Sequence, residues 1–207
     1  MRKLGFTLAE VLITLVIIGV IAAMTVPSLM NNTNSQEFRS ALKKAISGAN
    51  QALTLEYALE GLSAGDFSSK ENLVNEVFRK RMSIMESADA NKWSSVTRDL
   101  ACNDTATFTT NDGIKFCVKE FTAGNDDSQS SACNSYNTKP CGSDSGAQLL
   151  IDVNGDRKPN RQTTSSVKPR DIYQAQIYAQ KIVPYGTPTQ EVMFDKQVTA
   201  ASSPTGA

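Results

Sequence analysis

An unbroken apolar run near the N-terminus limits the folds open to this chain of 207 residues. The run, Phe6–Val26, reads FTLAEVLITLVIIGVIAAMTV and contains one charged side chain, Glu10, among its 21 residues. A helix of that length spans about 31 Å, the thickness of a bilayer's hydrocarbon core. Because Arg2 and Lys3 precede the run, the positive-inside rule places the N-terminus in the cytoplasm and the rest of the chain across the membrane.

A cleaved secretory signal peptide is the alternative for this run, since such peptides also combine a basic start with an apolar stretch. The acid inside the run weakens this alternative, and so does the poor cleavage site, for which Ala22-Ala23-Met24 is the nearest candidate. Glu10 needs an explanation of its own, because a charge at the centre of a membrane helix costs about 2.5–3.5 kcal/mol on insertion scales. On position alone, Glu10 either stays hydrated at the interface or pairs with a cation.

The residues around Glu10 resemble the class III signal of type IV pilins and type II secretion pseudopilins. That signal has a short basic leader, a Gly before the cut, an aromatic residue or Met after it, a Thr or Ser, a Leu, and a Glu at the fifth mature position. All of these are present in Gly5-Phe6-Thr7-Leu8-Ala9-Glu10 and the leader before it. The resemblance implies that a prepilin peptidase cleaves between Gly5 and Phe6 and that the new Phe6 amine is N-methylated.

The resemblance also implies that Glu10 is an assembly residue, which pairs with the Phe6 amine of a neighbouring subunit in a filament. Cleavage creates a cation four residues before the acid, and stacking of subunits brings one chain's cation to the next chain's anion. A buried carboxylate without its partner is costly, so the pair would fix the register between subunits.

Beyond the run, the pattern predicts an α+β, pilin-like fold, in which a long N-terminal helix packs on a small C-terminal antiparallel sheet domain. Pro27 is expected to kink or loosen the helix. Apolar residues then recur every three or four positions, as in an amphipathic helix, and Gly61 is a plausible C-terminal cap. The stripe consists of Phe38, Leu42, Ala45, Ile46, Ala49, Leu53 and Tyr57.

We therefore expect five segments along the chain. They are a leader peptide (1–5), a transmembrane and polymerisation helix (6–27), an amphipathic helix continuing into the globular domain (28–61), a globular α+β head with disulfides (62–198) and a disordered tail (199–207). In the head, Asn111-Asp112-Gly113 predicts a hairpin turn, and further strands are predicted at 149–153 and 172–182. Residues 122–146 are rich in Ser, Asn and Asp and predict a long surface loop.

All four cysteines fall in the exported part of the chain, at Cys102, Cys117, Cys133 and Cys141. An even number in a translocated domain predicts disulfides, with three connectivities open. Local pairing would join Cys102 to Cys117 and Cys133 to Cys141. A zinc site is the weaker alternative, because the spacings contain no C-x2-C pair.

Asp152, Asn154 and Asp156 place oxygen ligands at alternate positions, as at the start of a calcium loop. A full EF-hand loop needs Gly at its sixth and Glu at its twelfth position, where this chain has Arg157 and Thr163. A tight turn at the end of a strand is the favoured alternative, since Asx side chains and Asn-Gly satisfy turn backbones. Calcium is the one cofactor that the sequence leaves open.

The residue composition excludes several classes of function for this chain. The chain has no histidine, which excludes Ser-His-Asp and Cys-His catalytic pairs and every His-containing metal site. Its 21 basic and 21 acidic residues balance, so no basic surface for nucleic acid is evident. We therefore expect no enzyme, but a structural pilin or pseudopilin.

Its expected partners are other pilin or pseudopilin subunits, the prepilin peptidase, an inner-membrane assembly platform and the lipid bilayer. The expected location is the bacterial inner membrane, as a single-pass protein with the head in the periplasm or outside, and then the filament. A membrane-anchored, exported binding protein that does not polymerise is the alternative function. It needs an apolar anchor, but neither a cleavage site nor an acid within it.

Overall fold

The computed structural model describes residues 5, 7–85, 102, 104–119, 121, 141, 149–161 and 170–194. Its elements follow the predicted α+β, pilin-like plan: a long N-terminal helix, a second helical segment, and a five-stranded antiparallel sheet. Two compact units are present, residues 1–37 and residues 38–207, here called the N-terminal and C-terminal units. The predicted loop at 122–146 lies outside the described residues except for Cys141, and the predicted tail at 199–207 lies wholly outside them.

Helix α1 covers Leu8–Glu60 and is assigned as helix through Pro27. It ends at Gly61, whose φ of 71° and N–H bond to the Tyr57 carbonyl at 3.0 Å give the C-terminal cap that the sequence predicts. A short 3-10 turn, Ala64–Asp66, follows. Helix α2, Lys70–Leu73, then continues through a π-helical turn, Val74–Phe78, into helix α3, Arg79–Arg81.

The sheet is a meander in the order β1-β2-β3-β4-β5, with every neighbouring pair antiparallel. The strands are β1 (Thr107–Thr109), β2 (Lys115–Val118), β3 (Leu149–Asp152), β4 (Ile172–Ile177) and β5 (Ile182–Tyr185), and helix α4 (Thr187–Phe194) follows. The hairpin at Asn111-Asp112-Gly113 is confirmed. The single strand predicted at 172–182 is wrong, because the chain turns back after β4, where the Tyr178 N–H bonds to the Lys181 carbonyl at 2.7 Å.

One contiguous hydrophobic core joins the second half of α1, the segment from α2 to α3, and one face of the sheet. Phe108 stacks between Phe78 and Phe116, with ring centroids 5.0 and 4.8 Å apart. The predicted apolar stripe of α1 is buried from Phe38 to Leu53, but Tyr57 is 46 % exposed. The expectation that Tyr57 belongs to the buried stripe is therefore wrong, and Glu56 is the residue that is buried in that turn.

The buried carboxylate of Glu56 is compensated by an arginine. The Arg81 Nε lies 2.7 Å from a Glu56 oxygen, and its Nη2 lies 3.3 Å from Glu60, one helical turn further along α1. Because a buried acid without a cation is costly, this pair explains how a charged residue can replace an apolar one at the end of the stripe.

The opposite face of the sheet carries a smaller cluster formed by Cys117, Leu150 and Ile172, with Cys102 packed against it. Lys115 and Asp152 are paired across β2 and β3 on this same face, since each stands two residues from a member of the cluster on its strand. Both side chains are buried. This face therefore holds both the disulfide and the charged residues described below.

Candidate functional site

The first turn of α1 is closed by a capping box between Thr7 and Glu10. Thr7 precedes the first helical residue, and its Oγ1 accepts the Glu10 backbone N–H at 3.2 Å. The Glu10 Oε2 in turn accepts the Thr7 backbone N–H and the Thr7 hydroxyl, both at 2.8 Å. Two backbone donors that a helix start leaves unpaired are thus satisfied. Sequence reasoning missed this role of Thr7, although the Thr-x-x-Glu spacing is its signature.

Behind this cap, α1 presents an apolar surface long enough to cross a membrane. The stretch Leu8–Pro27 has 20 residues and a mean hydropathy of 2.5, and its most apolar window is not buried against the rest of the chain. Its two threonines bond within the helix, Thr14 to the Val11 carbonyl at 2.9 Å and Thr25 to the Ile21 carbonyl at 3.0 Å. These hydroxyls therefore add no unpaired donor to the apolar surface. Glu10 is its single charged side chain.

A profile of the prokaryotic N-terminal methylation motif matches residues 1–26. The match covers the basic leader, Gly5, Glu10 and the apolar run. The chain carries an N-terminal methylation motif. This motif is the class III signal of type IV pilins and pseudopilins, so the resemblance inferred from the sequence is confirmed. Neither a curated protein nor a solved structure matches the chain.

The methylation motif and the apolar helix together indicate a membrane-anchored, pilin-type protein. Within the motif, Gly5 is exposed, whereas Phe6 and residues 1–4 lie outside the described residues. Cleavage at Gly5, methylation of Phe6 and a kink at Pro27 stay predictions. Glu10 lies at the helix start with its carboxylate held by Thr7.

The disulfide between Cys102 and Cys117 is present, with their Cα atoms 6.0 Å apart. Cys117 is fully buried on β2, and the bond ties the segment before β1 to the small hydrophobic cluster. Cys141 is also disulfide-bonded and buried, and its N–H bonds to the Ile177 carbonyl at 2.7 Å, at the end of β4. Cys133 lies outside the described residues.

The residues suggested for calcium lie where β3 ends and the chain turns. The Lys115 ammonium lies 2.8 and 2.7 Å from the two carboxylate oxygens of Asp156. This ion pair is asymmetric, since the Lys115 side chain is 7 % exposed and that of Asp156 is 64 % exposed. The lysine thus reaches out of the sheet and ends on an acid at the surface.

Two further carboxylates in this region are buried and hold backbone. Asp171 accepts the N–H groups of Asn160 at 2.6 Å and Arg161 at 2.5 Å, which fastens the middle of the β3–β4 connection to its last residue before β4. Asp152 accepts the N–H groups of Asn154 and Gly155. Burial, and then the negative charge of Asp171, raise the pKa of Asp152 to about 8, and burial also raises the pKa of Asp171.

The turn after β3 requires its glycine. Gly155 has a φ of 65°, and a Cβ there would lie 2.8 Å from the Gly113 carbonyl oxygen in the β1–β2 hairpin turn. This packing supports the interpretation of Asp152–Asp156 as a tight turn.

The geometry does not assemble the three suggested ligands around a cation. Asp156 binds Lys115 and Asp152 binds backbone. Asn154 contributes one oxygen, Oδ1, that is buried without a hydrogen-bond partner among the described residues. Calcium takes six to eight oxygen ligands, and one orphaned oxygen does not supply them. No group of three or more His, Cys, Asp or Glu side chains is placed to hold a metal within the part of the chain that is described.

Proposed function

We propose that this protein is a structural subunit, pilin or pseudopilin, of a type IV pilus or a type II secretion-like filament. It is cleaved by a prepilin peptidase between Gly5 and Phe6, N-methylated at Phe6, and held in the bacterial inner membrane with its head in the periplasm or outside. An assembly platform in that membrane then packs it with other subunits through α1. The observation that carries the proposal is the match of residues 1–26, with Glu10 as the one charge in the apolar helix.

The capping box supports a role for Glu10 in assembly. Both bonds from Thr7 go to Oε2, and Oε1 accepts no hydrogen bond from the described residues. The carboxylate can therefore accept a neighbour's Phe6 ammonium through Oε1 while it still caps its own helix. In lipid, the cap partly compensates the buried acid, and the ammonium of the next subunit completes this compensation in the filament.

The sheet supports assembly through the helix rather than through paired strands. Beside β1, the Met85 N–H bonds to the Thr109 carbonyl at 2.8 Å, and Ile84 forms a bridge with Thr110. Beside β5, the Asn50 side chain of α1 binds both backbone groups of Ile182, accepting its N–H at 2.7 Å and donating to its carbonyl at 2.9 Å.

Pro184, two residues along β5 from Ile182, has no N–H to offer. Both edges of the sheet are thus occupied at these positions, which disfavours addition of a strand from another subunit.

An exported binding protein that is only anchored by α1 remains the second candidate. Such an anchor would require the apolar residues of the span, but neither Gly5 nor Glu10. The methylation motif contains both, which favours the filament subunit.

Replacement of Glu10 separates these two functions. Glu10→Leu removes the only charge of the span, so membrane insertion should persist or improve, and cleavage at Gly5 should persist. The incorporation of this variant into filaments should fall at least about tenfold. A tenfold change corresponds to about 1.4 kcal/mol, and leaving the neighbour's buried ammonium unpaired costs more than that. The measurement is the ratio of subunit in sheared or detergent-extracted filaments to subunit in the membrane.

Thr14→Leu is the matched control, since it removes a polar group from the same span without touching the cap. It should leave incorporation unchanged. Equal incorporation of wild type and Glu10→Leu would refute the ion-pair mechanism. Recovery of wild-type protein from the membrane alone, under conditions in which filaments form, would refute the filament assignment.

A further inference from the structure

The turn after β3 resembles the start of a calcium loop in sequence, yet its acids face a cation that belongs to the chain itself. Lys115 comes from β2, and its ammonium lies within 2.8 Å of both oxygens of Asp156. Its strand register places it directly opposite Asp152. One ammonium is therefore positioned against the first and the last of the suggested ligands, 41 residues before Asp156 in the sequence.

We infer that Lys115 supplies the positive charge that a bound metal would supply in this loop, so that the fold of the C-terminal unit does not depend on calcium. The ammonium binds Asp156 bidentately, at distances typical of a charge-assisted hydrogen bond. A divalent ion at Asp156 would lie against this ammonium and be repelled by it. The inference does not rest on the proposed function, since it concerns only the folding of the C-terminal unit.

The Lys115 ammonium needs a nearby negative charge more than the Asp156 carboxylate needs a nearby positive one, because the lysine is the more buried of the two. The Lys115 side chain is 7 % exposed, so its ammonium has little access to water when its partner is removed. Asp156 is 64 % exposed and can be hydrated.

The chain contains a second lysine–aspartate pair that serves as a matched control. The Lys44 ammonium lies 2.7 Å from Asp112, the same distance as in the Lys115 pair, but the Lys44 side chain is 69 % exposed. The two pairs therefore share chemistry and distance. They differ most in the burial of the cation, and Asp112, at 33 % exposed, is also less exposed than Asp156. Exposed pairs of this kind contribute little to stability.

Two measurements on the full chain in detergent test the inference. The first is the thermal unfolding midpoint, followed by near-ultraviolet circular dichroism, in 5 mM CaCl2 against 5 mM EDTA with the ionic strength matched. We expect the same midpoint in both. A saturable rise with calcium that magnesium does not reproduce would overturn the inference, because a metal would then bind despite the lysine.

The second measurement compares two isosteric substitutions that each remove one negative charge. Asp156→Asn should lower the midpoint by about 5 °C or more, whereas Asp112→Asn should lower it by less than about 2 °C. The double variant Lys115→Met/Asp156→Asn, which removes the buried ammonium as well, should recover most of the loss. Equal shifts for Asp156→Asn and Asp112→Asn, or no recovery in the double variant, would overturn the inference.

Discussion

Replacement of Asn50 is expected to destabilise the C-terminal unit, because this residue of α1 closes the β5 edge of the sheet. Asn50→Leu would remove both hydrogen bonds to the backbone of Ile182, a residue only 4 % exposed. Each buried backbone group that loses its partner costs about 1–3 kcal/mol, so the two together should cost about 2–6 kcal/mol. The free energy of unfolding of an ordinary domain is roughly 5–15 kcal/mol, so this loss would be a large part of it.

The assay is urea unfolding of the full chain in detergent, followed by near-ultraviolet circular dichroism. Gln51→Leu is the control, since Gln51 is the next residue of the same helix and is exposed. Among the described residues, its side chain bonds only to the Ser47 side chain, at 3.3 Å. It should change the free energy of unfolding by less than about 0.5 kcal/mol. If Asn50→Leu costs no more than Gln51→Leu, the Asn50 bonds do not close the sheet edge and the reasoning fails.

Two further predictions concern the C-terminal unit. Replacing Cys102 and Cys117 together by Ser should lower the free energy of unfolding by about 3 kcal/mol, because the bond closes a loop with a sequence separation of 15. Urea unfolding measures this loss, and an unchanged midpoint would contradict the prediction. The raised pKa of Asp152, about 8, means that the folded state retains a proton which the unfolded state releases, so stability should fall from about pH 4 to pH 8. Asp152→Asn should flatten this fall in urea titrations across that range, and an undiminished slope in the variant would show that other groups cause it.

The parts of the fold that local pattern determines could be predicted from the sequence. The apolar run, the stripe from Phe38 to Leu53 and the Asn-Gly hairpin signal each depend on residues close together in the chain. The turn between β4 and β5 escaped prediction because Tyr178–Lys181 contains no Gly, Pro or Asn to mark it.

Contacts between distant residues account for the other differences. Periodicity alone predicts that Tyr57 is buried. Glu56 is buried in its place because Arg81, 25 residues further along the chain, pairs with its carboxylate. The Lys115–Asp156 pair likewise joins residues 41 positions apart, so the sequence around Asp152 indicates only a run of oxygen ligands. At the N-terminus, by contrast, the whole methylation motif lies within residues 1–26, so it could be recognised from the sequence alone.

The central claim is that the chain is processed as a pilin-type subunit, and the mass of its mature N-terminal peptide tests this most directly. Protein isolated from its native envelope should begin at Phe6 and carry one methyl group on the α-amine. Gly5→Val should retain the leader, which identifies the cleavage as dependent on the motif. A mature protein that begins at Met1, or near Met24 as after signal-peptide cleavage, would contradict the account.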